Sequence, residues 1–488
     1  MSLRRLLADE GGSIAIPMAV ALPVIAAAAM LVVDGGRLFN LQTSVQTSAD
    51  ALALAGAAEL DGKPDAIQRS NAAIAALVRN DPRFGAAGGR IGAQGVRYLT
   101  GLPTSDATAI GSAYQTTDPA RAALVEVTTQ PVGFGSVFAK AAGAVGLPTA
   151  VSAKAVAGFD SVACNVTPLF MCNPFEGSST TLFTAARDPS FKRRLIAMKA
   201  KGSQYGAGNY GYLQPAYGTG GSAVKESLAV DRPKGCYRQS GVELQTGNIS
   251  STAEALNVRF DLYSGNFSGS RGDPSYRPAQ NVRKGFTGPS CNPSVAYDPT
   301  QSPTASANLG KPLGLPRDTC FLDGRTCTYG GSAVAGRIGD GDWDFETYWT
   351  RTYGGGFPNG WSNTNRPSRY DVYRYELDND LQLRLTAGAS AKESGAPACY
   401  TGGPSTLSDD PDRRTFVGAI IDCAAAAAAG QLTGSSGGVI PVTAYGRFFL
   451  TEPMDKNDGT IWAEMVELVE PGTASARGII RDSVELYR

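Results

Sequence analysis

From Ser13 to Val33 the chain reads SIAIPMAVALPVIAAAAMLVV and carries no charge. As a helix rising 1.5 Å per residue this run would reach roughly 32 Å, about the hydrocarbon thickness of a bilayer. Pro17 and Pro23 are better tolerated in a membrane helix than in a soluble one. Ala15, Ala19 and Ala26 to Ala29 offer small surfaces on which a second helix can pack closely. The run predicts a transmembrane helix over 13–33. Two other readings stand beside it. A cleaved signal peptide would have a shorter apolar region and a small-x-small site in an extended segment. A buried core helix would seldom be uncharged over so long a span.

Arg4 and Arg5 precede the run, and Arg37 alone follows it closely, which places the N-terminus (1–12) in the cytoplasm. All eight cysteines lie beyond the run: Cys164, Cys172, Cys236, Cys291, Cys320, Cys327, Cys399 and Cys423. No C-x-x-C occurs, so their even number points to disulfides in an oxidising compartment, here the periplasm. Eight cysteines allow ~105 pairings. Local pairing is the expectation: Cys164–Cys172, Cys320–Cys327 and Cys399–Cys423, with Cys236–Cys291 left over.

Beyond the apolar run, Leu38, Leu41, Val45, Leu52 and Ala55 recur at helical spacing, with Thr43, Ser44, Gln46, Thr47 and Asp50 largely opposite. The helix is expected to continue over 34–61 and to end at Asp61-Gly62 before Pro64. Residues 62–160 read as a small α/β unit. It has a helix over Pro64 to Asn80, a loop over Gly85 to Arg90, and strands over Val96 to Leu99, Ala123 to Val132 and Thr149 to Val156. A short helix is expected from Phe134 to Ala142. Residues 161–488 read as mainly β with long loops. The expected strands are Ser368 to Leu377, Phe416 to Asp422, Val439 to Thr451 and Thr460 to Val469, with a basic helical stretch over Arg187 to Lys201. Tyr205 to Gly221 and Gly265 to Pro316 read as loops ordered by the disulfides or not at all. Ala424 to Ala429 is a low-complexity run between strands.

Histidine is absent, which removes Ser-His-Asp and Cys-His catalysis and every His-ligated metal site. Lys plus Arg and Asp plus Glu balance at 44 each, leaving no global basic field for nucleic acid. No G-x-x-x-x-G-K-[ST] motif is present, so no nucleotide site is indicated. No catalytic or cofactor-binding residue is assigned. Asp340, Asp342, Asp344 and Glu346 place four carboxylates at alternate residues, a pattern that can converge on calcium. A polar turn leading into Tyr348-Trp349 explains the same residues. Arg271-Gly272-Asp273 and the sequons at Asn165 and Asn248 carry no functional weight.

The N-terminal residues resemble a known group. Gly11-Gly12-Ser13-Ile14-Ala15, the apolar span with Pro23, Asp34-Gly35-Gly36-Arg37-Leu38 and Ser48-Ala49-Asp50-Ala51-Leu52-Ala53-Leu54-Ala55-Gly56-Ala57 look like the N-terminal domain of TadE/TadG-like proteins of Flp (tight adherence) pilus assembly. Weaker echoes lie at Ala123 to Thr128, Phe134 to Gly143, Thr149 to Ala157 and in the tail from Phe448. The resemblance implies an α+β protein: a long membrane-anchored helix, a pilin-like α/β unit over 62–160 and a disulfide-braced periplasmic region over 161–488. It implies a non-catalytic single-pass inner-membrane component whose partners are other pilus-assembly or pilin-like proteins. Ala15, Ala19, Pro23, Ala49, Asp50, Ala53 and Ala57 would serve membrane and helix packing. The pattern departs from the group in two places. The fifth residue after Gly12 is Pro17, where prepilin subunits carry glutamate, and there is no D-x-S-x-S metal motif. Two further readings stay open: an envelope adhesin or binding module, with calcium a possible cofactor, and a histidine-free periplasmic hydrolase.

Overall fold

The computed structural model describes residues 14–61, 63–77, 91–103, 105, 107–119, 121–135, 150–200, 205–238, 241–245, 249, 251–287, 296–329, 331–333, 337–408, 410–432, 438–470 and 474–487. The chain forms two compact units, residues 1–160 with 482–488, and residues 161–481.

The first unit begins with helix α1, Ala15–Ala57, which runs through Pro23. Its second half buries Leu41, Val45, Ala49, Leu52, Ala53 and Ala57, a stripe at spacings of three and four. A helical turn lets such residues face one side, and the alanines let the backbone come close to what lies beneath. Beneath them are helix α2, Ala66–Ala76, and a sheet of β1 (Ala93–Leu99), β2 (Leu124–Thr129), β5 (Lys154–Cys164) and the terminal strand Ile480–Leu486. β1 and β5 flank β2 antiparallel, with Val96 opposite Val127 and Val127 opposite Ala155. Two short strands, β3 (Val132–Gly133) and β4 (Ala150–Val151), pair beside this sheet sequence. One core joins Ala49, Leu52, Ala53 and Ala57 to Ile74, Tyr98, Val125, Val127, Ala155 and Ala157. Gly56 is needed where the two helices meet: a Cβ there would lie 2.7 Å from Ile74 Cδ1.

These elements agree with the sequence for the long helix, for α2 and for the strands expected over Val96 to Leu99 and Ala123 to Val132, whereas the strand expected over Thr149 to Val156 is divided between β4 and the start of β5, which runs on to Cys164. The helix expected over 134–142 lies mostly outside the described residues. Among the described residues no helix is long and apolar enough to cross a membrane, so the span expected over 13–33 is not met there. Ser13 and the side chains of residues 15, 27, 30 and 31 fall outside the described set.

The second unit is built on a closed six-stranded barrel. Its strands are β6 (Leu169–Cys172), β7 (Leu195–Ala200), β8 (Asn209–Tyr212), β12 (Thr415–Ile421), β13 (Ala444–Leu450) and β14 (Ile461–Val469). Going round, the order is β12-β13-β14-β7-β8-β6, parallel at β6/β12 and β7/β8 and antiparallel elsewhere. Alternate residues meet inside: Leu169, Met171, Ile196, Met198, Phe416, Ile420, Phe448, Ile461, Ala463 and Met465 share one core. The intervening residues are also buried, under covering segments: Phe170, Val417, Ala419 and Ile421 in a second core, and Phe449 in a third. A strand covered on both faces needs no polar alternation, which is why β12 reads TFVGAII. Outside the barrel stand β9 (Cys236–Arg238), which pairs with Val162 to Cys164, and the hairpin β10 (Thr328–Tyr329) and β11 (Ser332–Ala333).

Two expectations in this unit are corrected. Ser368 to Leu377 is not a strand but helix α9, counted after α3 (Leu182–Arg187), α4 (Pro189–Lys192), α5 (Gly220–Ala229), α6 (Thr252–Asn257), α7 (Thr319–Asp323) and α8 (Phe345–Tyr353). α9 spans Arg369–Asp378 and starts with a reciprocal capping box between Ser368 and Asp371, which outweighs the alternating pattern. Arg187 to Lys201 is not one basic helix, because after α4 the chain enters the barrel as β7 with Leu195, Ile196 and Met198 buried. The alanine run is helix α10, Cys423–Ala428.

The disulfide pairing is also corrected. Cys320–Cys327 forms as expected, but Cys164 pairs with Cys236 and Cys172 with Cys423. Topology explains both: β5 lies against β9 with Cys164 opposite Cys236, and β6 runs parallel to β12 with Cys172 opposite Ile421, two residues before Cys423. Cys399 is buried, and Cys291 lies outside the described residues.

Around the stretch 265–316, arginines are buried among backbone carbonyls. Arg277 donates to the carbonyls of Ser408, Asp410 and Pro411. Arg413 donates to those of Arg277 and Val230, and Arg259 to those of Arg413 and Thr415. Arg414 donates to Leu450 and Thr451. A loop inside a domain has carbonyls with no sheet partner, and a guanidinium with five donors can satisfy several of them.

Candidate functional site

Three places hold residues singled out by sequence or by geometry. The first is α1. Its C-terminal half is packed on its own unit, so Ala49, Ala53 and Ala57 are buried against the sheet and α2. Asp50 accepts a hydrogen bond from Gln46 at 2.8 Å. The N-terminal half is different. Ile14, Val20 and Val32 are 69%, 69% and 72% exposed, and Ile16, Met18, Leu22, Val24 and Ile25 are exposed with them. Ala19 and Pro23 are exposed too, while the Ala15 side chain is outside the described set. At 100° per residue these positions cover every side of the helix rather than one face. An all-round apolar helix surface is normally covered by lipid or by other helices.

The second place is the carboxylate run. The structure does not bring its four members together. Asp340 stands 3.6 Å from Arg325, and Asp342 is paired with Arg366 at 2.5 Å. Asp344 caps α8 by accepting from the Thr347 amide and also takes the Asn363 side chain. Glu346 accepts the Asn363 amide. Burial pushes the Asp340 carboxyl above its usual range, with Asp318 and Asp342 adding to the effect. Among the described residues no group of three or more carboxylates or cysteines could hold a metal ion.

The third place was not visible in the sequence. A cavity of about 450 Å³ opens beside β12 and β13, lined by α9 through Tyr370 and Arg374, by the loop residues Asp231 and Arg232, by Asp410 and Asp412, and by Arg447 and Arg477. The Asp412 side chain is only 9% exposed. Its Oδ1 accepts from the Tyr373 hydroxyl at 2.8 Å and from the Arg414 amide at 3.0 Å. Its Oδ2 has no hydrogen-bond donor among the described residues, with Arg374 Nη1 at 4.0 Å. Burial raises the Asp412 carboxyl, while Tyr373, the Arg414 amide and Arg374 pull the other way. The only sequence signal is the density of charge in Asp409-Asp410-Pro411-Asp412-Arg413-Arg414 just before an apolar strand.

Residues 12–59 match a family model described as putative Flp pilus-assembly TadE/G-like. The match takes in all of α1 and stops before α2, so the echoes noted at 123–157 and from Phe448 lie outside it. No curated protein and no solved structure matches the chain.

Proposed function

We propose that this chain, with its TadE/G-like segment over 12–59, works as a non-catalytic component of Flp-type pilus assembly. In this reading the apolar first half of α1 anchors the protein in the inner membrane. The N-terminus stays in the cytoplasm, and both folded units stand in the periplasm, where they meet other pilus components. The observation that carries the reading is the match itself, falling on a helix whose first half exposes apolar side chains all round. Three disulfides in the second unit support an oxidising compartment, since cytosolic thiols are kept reduced.

The test is a strain lacking the gene, complemented by the full-length protein or by Val20→Arg/Val24→Arg. Deletion should abolish surface pili and adherence. The doubly charged variant should leave the membrane fraction after alkaline extraction, because each arginine in mid-helix costs about 3 kcal/mol of insertion on the translocon scale. Normal piliation in the deletion strain would refute the pilus reading. A full-length protein extracted as easily as the variant would refute the anchor.

A further inference from the structure

We propose that the aromatic shelf of Phe357, Trp361 and Tyr375, beside α8 and α9, binds a neutral glycan, a chain of uncharged sugar rings. The sugar rings would stack on the shelf, and the Asn359 amide would take a hydroxyl.

The shelf is continuous. Phe357 and Trp361 both rest on the buried Phe345, with ring centroids 5.8 and 6.0 Å away, and Tyr375 follows Trp361 at 5.5 Å. Phe357 is 41% exposed, and Trp361 and Tyr375 are half-buried. The C–H face of a sugar ring is apolar and its hydroxyls lie round the edge, so it can cover an aromatic surface while its polar groups reach nearby amides. Asn359 stands at the tip of the turn between Phe357 and Trp361, which is closed by the Trp361 amide donating to the Pro358 carbonyl at 2.9 Å. Its side chain is exposed and has no hydrogen-bond partner among the described residues. A side-chain amide both donates and accepts, as a sugar hydroxyl does.

The loop is fixed before any ligand arrives. Gly354, Gly355, Gly356, Asn359 and Gly360 have positive φ, at 94°, 138°, 75°, 54° and 67°. Trp349 Nε1 donates to the Gly356 carbonyl at 3.2 Å, and Asn365 Nδ2 to the Gly360 carbonyl at 3.1 Å. A backbone held in this way loses little freedom on binding.

Charge selects the class of ligand. Residues 354–365 read GGGFPNGWSNTN, without one charge. At the borders, Arg366 is paired with Asp342 and Arg374 with Asp378. An acidic glycan or a nucleic acid would find no cation on this stretch to offset its charge. A proline-rich peptide docks in grooves between aromatic rings. Trp361 and Tyr375 meet edge to face at 69°, which leaves no groove between them.

The proposal does not rest on the pilus reading, because binding is read on purified full-length protein in a detergent without a sugar headgroup. Calorimetry would compare maltohexaose, cellohexaose and chitohexaose with a galacturonate oligomer and with decaproline. At least one neutral hexamer should bind with Kd below about 1 mM, and at least roughly tenfold more tightly than the uronate or the peptide. Phe357→Ala should weaken that binding roughly tenfold by removing a stacking face. Asn359→Gly should weaken it roughly threefold to tenfold, the size expected for one hydrogen bond. Glycine adopts positive φ freely, so this variant keeps the turn and removes only the amide, and it decides the matter even if Phe357→Ala fails to fold. No binding of any neutral hexamer, equal or tighter binding of the uronate or of decaproline, or affinity unchanged in either folded variant would overturn the proposal.

Discussion

Glu464 on β14 offers the sharpest physical test of the second unit. Its carboxylate shares one guanidinium, that of Arg369, with Asp318: Nη1 reaches Glu464 at 2.6 Å and Nη2 reaches Asp318 at 2.7 Å. All three side chains are fully buried. One positive charge cannot neutralise two buried carboxylates, so one of them favours its neutral form. Burial pushes Glu464 up from 4.5 to about 7, against the opposing pull of Arg369. Between those values the folded protein holds a proton that the unfolded chain releases. Stability from this group is therefore complete below the unfolded value of 4.5 and is lost as pH rises through about 7. At 1.36 kcal/mol for each factor of ten in proton affinity, the loss comes to about 3 kcal/mol. The perturbation is Glu464→Gln, which imitates the neutral carboxyl and cannot titrate. Unfolding in urea would be followed by tryptophan fluorescence at pH 4.5 to 8.5. Trp343, Trp349, Trp361 and Trp462 are the only tryptophans and all lie in the second unit, so the signal reports that unit alone. Trp343 also lies under the Arg369 guanidinium, 4.8 Å from its ring centroid. Relative to the variant, wild type should lose about 3 kcal/mol across the window, while other titrating groups cancel in the difference. A difference that stays flat with pH would mean that Glu464 is ionised throughout and that the burial argument is wrong.

Two further outcomes are expected. Cys172→Ser with Cys423→Ser should cost about 2–5 kcal/mol, because that bond joins β6 to the start of α10 across 251 residues of sequence; Cys320→Ser with Cys327→Ser, closing a loop of 7, should cost less. Thermal unfolding of the oxidised proteins checks the order, and equal effects would contradict it. Gly56→Leu should destabilise the first unit by about 1–3 kcal/mol, since its side chain would enter the space held by Ile74. Faster hydrogen exchange in β1 and β2 is the readout, and unchanged exchange would show that α2 can move aside.

The strands β12, β13 and β14 were legible because each is apolar enough to be buried on both faces. RYDVYRYEL alternates as a strand would, although the residues form α9. The capping pair Ser368 and Asp371 was the local signal against it, and it settles the first turn by hydrogen bonds that no strand could use. The carboxylate run was misleading in the same way. Spacing of two suggests convergence, yet Asp344 caps a helix and Asp342 faces Arg366, so the chain turns between the ligands it was expected to align. Pairing of Cys172 with Cys423 was beyond any local rule, because it depends on which strand becomes the parallel neighbour of β6.

The N-terminal segment shows how one continuous pattern can carry two duties. A family match over 12–59 treats it as one piece, and α1 is one helix through most of it. Its burial changes abruptly near Asp34. Before that residue the apolar side chains are exposed; after it, Leu41, Val45, Ala49, Leu52, Ala53 and Ala57 belong to the core of their own unit. Small residues in the second half therefore let the helix lie close to β2 and α2, where larger ones would hold it off. In the first half, alanines on an exposed apolar surface leave room for another helix to approach. On the proposed reading, the same residue type serves internal packing on one side of Asp34 and external contact on the other. A substitution such as Ala53→Leu should then act on folding of the first unit, while Ala19→Leu should leave that fold intact and alter only what the exposed half meets. Equal loss of fold from both would show that the helix is one packing surface and that the division at Asp34 has no functional meaning.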